Sequence, residues 1–129
     1  MATWAEFAEA APEMAALLKG ILEWIPITYL ATTREDGAPR VHPVCPIFAE
    51  GRMFVAMAPD SPKRMDIVRD GRYAMHALPG KWREVDGEMR GDDEFYATGR
   101  AWRVEGDDIR RAMKEAAGHE VRPQDWLFE

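Results

Sequence analysis

Three prolines, Pro39, Pro43 and Pro46, fall inside a segment that otherwise reads as a β-strand: "DGAPRVHPVCPIF", Asp36 to Phe48. Proline has no N–H to give to a ladder, so such a strand belongs at a sheet edge or has something other than a neighbouring strand laid against it. By the period of two, Arg40, His42 and Val44 share one face, while Val41, Pro43 and Cys45 share the other. The segment therefore sets a question about what lies along it.

The rest of the chain surrounds it with recognisable punctuation. Thr3 and Glu6 have capping-box spacing, and Pro12 suits the first turn of a second helix with the stripe Met14, Leu17, Leu18, Ile21 and Ile25. "ITYLATT", Ile27 to Thr33, reads as a strand, and Asp36-Gly37 turns it into the proline-bearing return strand. A turn at Glu50-Gly51 leads to a third strand, Arg52 to Ala58, completing an antiparallel meander. "SPKRMDIVRDGR" is a short helix, with Ser61 as cap, Pro62 at the first helical position and Gly71 closing it. A fourth strand spans Arg72 to Leu78, and a polar, glycine-bearing loop Pro79 to Asp93. A long fifth strand follows, Glu94 to Val104, in which Gly99 marks a bulge or a close approach. Asp107 or Asp108 caps a helix presenting Ile109, Ala112, Met113 and Ala116 on one face, and "DWLFE" opens a further strand. Five or six strands with helices at the margins predict a mostly β, antiparallel barrel with helical caps.

A chain of 129 residues fits one domain, 1–129, and its formal net charge of -6 argues against duplex nucleic acid as the main partner. No stretch approaches the ~20 apolar residues of a membrane helix. The single cysteine, Cys45, excludes an internal disulfide, so a reduced, cytoplasmic protein is expected.

The chemistry collects around two places. A helix N-terminus carries unpaired N–H groups and partial positive charge, and here a hydroxyl (Ser61) and an ammonium (Lys63) stand beside it. Alone, these fit an ordinary capped surface helix. Arg40 and His42 alone fit an exposed strand face, or an arginine paired with a nearby acid. Together the four give a phosphate-sized set of donors. His42, His76, His119 and Cys45 lack any short-range metal-ligand spacing, and Cys45 reads as a small buried hydrophobe. The sequence holds no P-loop, G-x-G-x-x-G or G-x-S-x-G, so any chemistry is expected to come from a cofactor.

"YLATTREDGAPRVHPVCPIFAEGRMFVAMAPDSPKRMDIVRDGRYAMHAL" and "DDEFYATGRAWRV" resemble the pyridoxamine 5'-phosphate oxidase-like family of FMN-binding split β-barrels, from about Phe7 to the end. The resemblance rests on the threonine-bearing first strand, D-G-x-P-R-x-x-P, the S-P-K helix start and the G-R-A strand, in family order. It implies a six-stranded antiparallel split barrel, homodimeric, with FMN between the subunits. It further implies that Arg40, His42, Pro43 and Val44 line the flavin, partly through backbone groups, and that Met57 and Ala58 lie near the ring or ribityl chain. Ser61, Pro62 and Lys63 would hold the phosphate. Glu94 stands where members often place a glutamine that reaches FMN from the partner subunit. Family members continue beyond the position of Glu129 into strands that help close the barrel, so this chain is expected to lack them. The substrate-holding arginine and histidine of true pyridoxamine phosphate oxidases have no counterpart. The expected function is thus an FMN-dependent oxidoreductase acting on a small molecule. The alternatives are an F420- or haem-binding split barrel, and a non-catalytic flavin carrier or sensor.

Overall fold

A computed structural model of the protein describes residues 2–78, 83–91 and 94–129. Helix α1 (Trp4–Ala10) opens on the expected capping box: Glu6 N–H donates to Thr3 Oγ1 at 3.2 Å, and Thr3 N–H to Glu6 Oε2 at 2.7 Å. Pro12 begins α2 (Pro12–Trp24). The buried face of α2 is Ala15, Leu18, Ile21 and Leu22, rotated from the expected stripe, for Met14 is 53% exposed.

The chain then gives β1 (Thr28–Thr33), β2 (Pro39–Val44), β3 (Ile47–Ala49) and β4 (Arg52–Met57), followed by α3 (Pro62–Arg69) and β5 (Arg72–Ala77). Next come β6 (Arg83–Val85), β7 (Glu88–Arg90), β8 (Tyr96–Arg100), β9 (Arg103–Val104), α4 (Asp107–Ala116) and β10 (Trp126–Phe128). Two four-stranded antiparallel sheets result, in the orders β2-β1-β5-β8 and β3-β4-β10-β9. Two runs expected as single strands are bent and serve both sheets. One breaks at Cys45-Pro46, between β2 and β3, and the other at Ala101-Trp102, between β8 and β9. The expected antiparallel β architecture holds, while the count of six strands is not reproduced: among the described residues the strands form these two sheets and a hairpin, with no closed barrel.

β2 is an edge strand, and its register explains the prolines. Arg34 N–H donates to Ala38 O, so the even-numbered residues Arg40, His42 and Val44 exchange hydrogen bonds with β1. Pro39 and Pro43 point their nitrogens to the open side, where no ladder bond is lost. β8 is the opposite edge. Phe95 O and Ala101 N–H bond to Ala77 and Gly71, so the odd residues face β5 and the amides of Tyr96, Thr98 and Arg100 face outward.

The two sheets and α3 enclose Leu30, Val44, Met57, Ile67, Met75 and Phe128. Helix α2 seals one end with Leu18, Ile21 and Leu22 over Ala77 and Phe95, and α4 lays Met113 on Ile47, Phe54 and Leu127. Burying a side chain of this size contributes ~1.5–3 kcal/mol. Two local expectations change, and that for Gly99 resolves to a close approach. Gly106, at φ 140, takes the N-cap position of α4, leaving Asp107 and Asp108 in the first turn. Gly99 makes no bulge; the Tyr73 ring lies across it, so close that a Cβ would meet the phenol oxygen at 3.1 Å. The expected loop Pro79–Asp93 contains the hairpin β6-β7, turned by Asp86-Gly87 at φ 53 and 79, both in the left-handed region a two-residue turn demands. Residues 79–82 and 92–93 of that segment lie outside the described residues.

Candidate functional site

The period of two sends Arg40 and His42 to the inner face of β2, and register sets Arg40 opposite Thr32 on β1. Helix α3 packs over β1 and carries Lys63 and Asp66 three residues apart, on one side of the helix. Sheet and helix therefore meet around Asp66, which is 3% exposed. Its Oδ2 accepts from Thr32 Oγ1 at 2.8 Å and from Arg40 Nε at 2.7 Å; its Oδ1 accepts from Arg69 Nη2 at 3.3 Å. Arg69 also donates to the Thr33 carbonyl, tying the helix end to β1. Burial pushes the Asp66 carboxyl up, but the hydrogen bonds from Arg40 and Thr32, with the Arg40 charge, hold it below the ordinary carboxylate range.

Ser61 occupies the N-cap position with extended backbone, yet its hydroxyl does not cap the helix. It accepts from Lys63 Nζ at 2.9 Å. No side chain caps α3, so its first-turn N–H groups keep their partial positive charge. Burial lowers the Lys63 pKa. His42 is lowered too, first by burial and then by the positive charges of Lys63 and Arg40, which hold its imidazole neutral at pH 7. Those shared effects place Arg40, His42 and Lys63 in one electrostatic neighbourhood. Two cations there, Arg40 and Lys63, flank the neutral imidazole, with the Asp66 carboxylate on Arg40. Among the described residues, both Nη groups of Arg40 lack a protein partner, and Lys63 spends one of its three ammonium protons. Chemically, these unspent donors are of the kind that can take an anion.

Four expected site residues, Arg40, His42, Ser61 and Lys63, thus come together. The alternative that Arg40 pairs with an acid is also realised, and the two are compatible because Asp66 takes only Nε. Pro62 stands exposed at the helix start, and Ala58 lies half-buried in the turn closed by Ser61 N–H to Ala58 O at 3.0 Å. Pro43 is exposed on the outer sheet face, away from Arg40. Val44 and Met57 point their side chains into the core, so either can meet a ligand only through its backbone. Glu94 is not brought to the cluster within one chain. It precedes β8, across the sheet, with its carboxylate 3.7 Å from His76 Nε2. Thr32 and Asp66 are the residues that sequence reasoning missed. The available signal was the acid three positions after Lys63, on a helix already suspected of holding an anion.

A cavity of about 410 Å³ lies elsewhere, lined by Trp4, Phe7, Met53, Tyr73, Phe95 and Trp102 among others. It includes none of the cation cluster. Burial pushes the Tyr73 phenol pKa up.

No family model and no curated protein matches the sequence. Solved structures do. The heme storage protein HutZ from Vibrio cholerae is 15% identical with a TM-score of 0.65, over 90% of this chain and 87% of that one. A NimC/NimA family protein from Clostridium acetobutylicum is 15% identical with a TM-score of 0.64, over 89% and 76%. A protein from Listeria innocua named for pyridoxamine 5'-phosphate oxidase is 15% identical with a TM-score of 0.61, over 88% of each. The fold is that of the split-barrel proteins. In this split barrel the cation cluster sits where the proline-bearing edge strand meets the start of α3, on the side of the first sheet that faces the core. Among its described residues no helix is long and apolar enough to cross a membrane, and no metal-binding group of His, Cys, Asp and Glu is found.

Proposed function

We propose that the protein binds FMN and acts as an FMN-dependent oxidoreductase on a small molecule. The observation that carries this reading is the cluster of unspent donors: the Arg40 Nη groups, the Lys63 ammonium and the uncapped start of α3 beside Ser61. A phosphate monoester carries about two negative charges at neutral pH and three acceptor oxygens, and the two cations Arg40 and Lys63 beside the helix start suit it. Val44 and Met57, whose side chains pack in the core, would meet FMN through their backbones, Ala58 through its turn, and Pro43, on the outer face, only along the strand backbone. FMN bound there would supply a two-electron acceptor; the chain's own part is to hold the phosphate and keep His42 neutral.

A second copy fits the outer face of the first sheet. There Pro43, Tyr29, His76 and Tyr96 form one cross-strand row, and Val41, Ala31, Ala74 and Thr98 the next. Val41 is 61% and Tyr96 73% exposed, a large apolar area for a lone chain. A homodimer through this face would place Glu94, at its margin, where it can serve the other subunit's cofactor. Sedimentation of the wild type against Tyr96→Arg checks the dimer: a dimer that dissociates in the variant supports it, and a monomeric wild type sinks it.

Haem has support from the names of two structural neighbours and from the neutral imidazole of His42. However, the apolar cavity contains no histidine, and His42 lies among cations. The deciding experiment is the absorbance spectrum of the purified protein, with mass identification of any released pigment and a titration with FMN. A flavin spectrum supports the reading, and turnover with NADH or NADPH separates an oxidoreductase from a carrier. A haem or F420 spectrum, or no binding of added FMN, overturns it.

A further inference from the structure

Asp66 has an unusual position for an acid beside an anion site, since a buried carboxylate there repels the ligand the cations attract. Its contacts show what offsets that. Thr32 Oγ1 and Arg69 Nη2 hold the carboxylate from two sides, and both lie outside the ligand-facing pair Arg40 and Lys63. Of the Arg40 guanidinium, Asp66 engages Nε alone, at 2.7 Å. A carboxylate that bonded the Nε–Nη edge would consume part of the fork an anion needs; one that bonds only Nε fixes the plane of the group and leaves both Nη groups available for two parallel bonds to a phosphate.

We propose that Asp66 is the positioning residue of this site: it acts through Arg40 Nε to orient the guanidinium for a phosphate, and so gives the protein its preference for a phosphorylated over an unphosphorylated flavin. This rests on the FMN reading above. The mechanism is pre-organisation. An exposed arginine would lose rotamer freedom on binding, whereas here that loss is already made in the folded chain. Thr32 in turn fixes Asp66, so β1, β2 and α3 each contribute one member to a rigid unit. Lys63, by contrast, is held among the described residues by the neighbouring Ser61 hydroxyl alone and supplies charge with little direction.

The test compares FMN with riboflavin, which has the same ring system without the phosphate, by flavin fluorescence titration of the full chain. The variants are wild type, Asp66→Asn, Arg40→Ala and the double variant. The wild type is expected to prefer FMN, and Asp66→Asn to lose roughly ten-fold or more in FMN affinity with riboflavin affinity unchanged. In the Arg40→Ala background, Asp66→Asn should no longer weaken FMN, and the loss of a repelling charge should leave its affinity equal or higher, with riboflavin unchanged. A wild type without preference for FMN overturns the phosphate reading itself. A wild type that prefers FMN together with an Asp66→Asn variant that keeps the preference overturns only the positioning role. That role also fails if Asp66→Asn still weakens FMN when Arg40 is absent. Should Asp66→Asn not fold, NMR of the wild type with inorganic phosphate gives the answer. The Arg40 Nε proton should be protected from exchange before and after phosphate is added, with Nη protons protected only after. Loss of the Nε protection on adding phosphate would mean that Arg40 leaves Asp66 to bind, and would refute the proposal.

Discussion

Single residues carry the proposed anion site, and their effects separate by type. Lys63→Ala should weaken FMN binding by about 1.5–3 kcal/mol, the range for a hydrogen bond to a charged group, with unchanged thermal stability; equilibrium titration checks it. His42 offers a second readout. Its imidazole is held below the usual histidine pKa by burial and by Lys63 and Arg40, so a bound phosphate that offsets those charges should move its titration upward by NMR. A titration unmoved by FMN would place the phosphate elsewhere. Much of this was legible in the sequence, because Arg40, His42, Ser61 and Lys63 stand at positions whose local geometry is set by strand period and helix start. Asp66 was not. Its role depends on α3 lying over β1, a tertiary placement that no local spacing encodes.

Elements follow turn chemistry more closely than hydrophobic stripes. Gly71 ends α3 at φ 78, and a Cβ there would sit 3.0 Å from the Ala101 carbonyl, whose own N–H bonds back to Gly71 O at 2.8 Å. Gly71→Ala should therefore cost about 1–3 kcal/mol of strain, measurable by urea denaturation, while Gly37→Ala, with the same sign of φ but open space around it, should cost less. The proline, glycine and capping signals located most element boundaries. Where a polar sequence hid a turn signal, as at Asp86-Gly87, a hairpin read as loop. Where a long apolar run crosses from one sheet to the other, as at Cys45-Pro46 and Ala101-Trp102, the strand's length was visible and its bend was not, because the bend is imposed by the packing of two sheets around one core.

For the whole molecule, carboxylates held low by hydrogen bonds, Asp66 and Asp70 among them, make stability fall in acid. Asp66 is held below its ordinary pKa, and Asp70 is lowered to about 2, chiefly by its hydrogen bond from Arg72. Folded-state values below the unfolded value of ~3.9 mean that the stabilisation is fully present above that pH and lost as pH falls through the folded values. Thermal melts should thus fall between about pH 4 and pH 2, more steeply in wild type than in Asp66→Asn. The first sheet, finally, has two margins that differ in kind. Along β2, proline has removed the outward donors, leaving Val41 as the outward amide; along β8, three remain at Tyr96, Thr98 and Arg100. In deuterium exchange, β8 should therefore show two clocks on one strand, with slow amides at Ala97 and Gly99 and fast ones between them. It is the margin at which an added strand would find partners waiting, and protection appearing at those three alternate amides would be the sign that one had arrived.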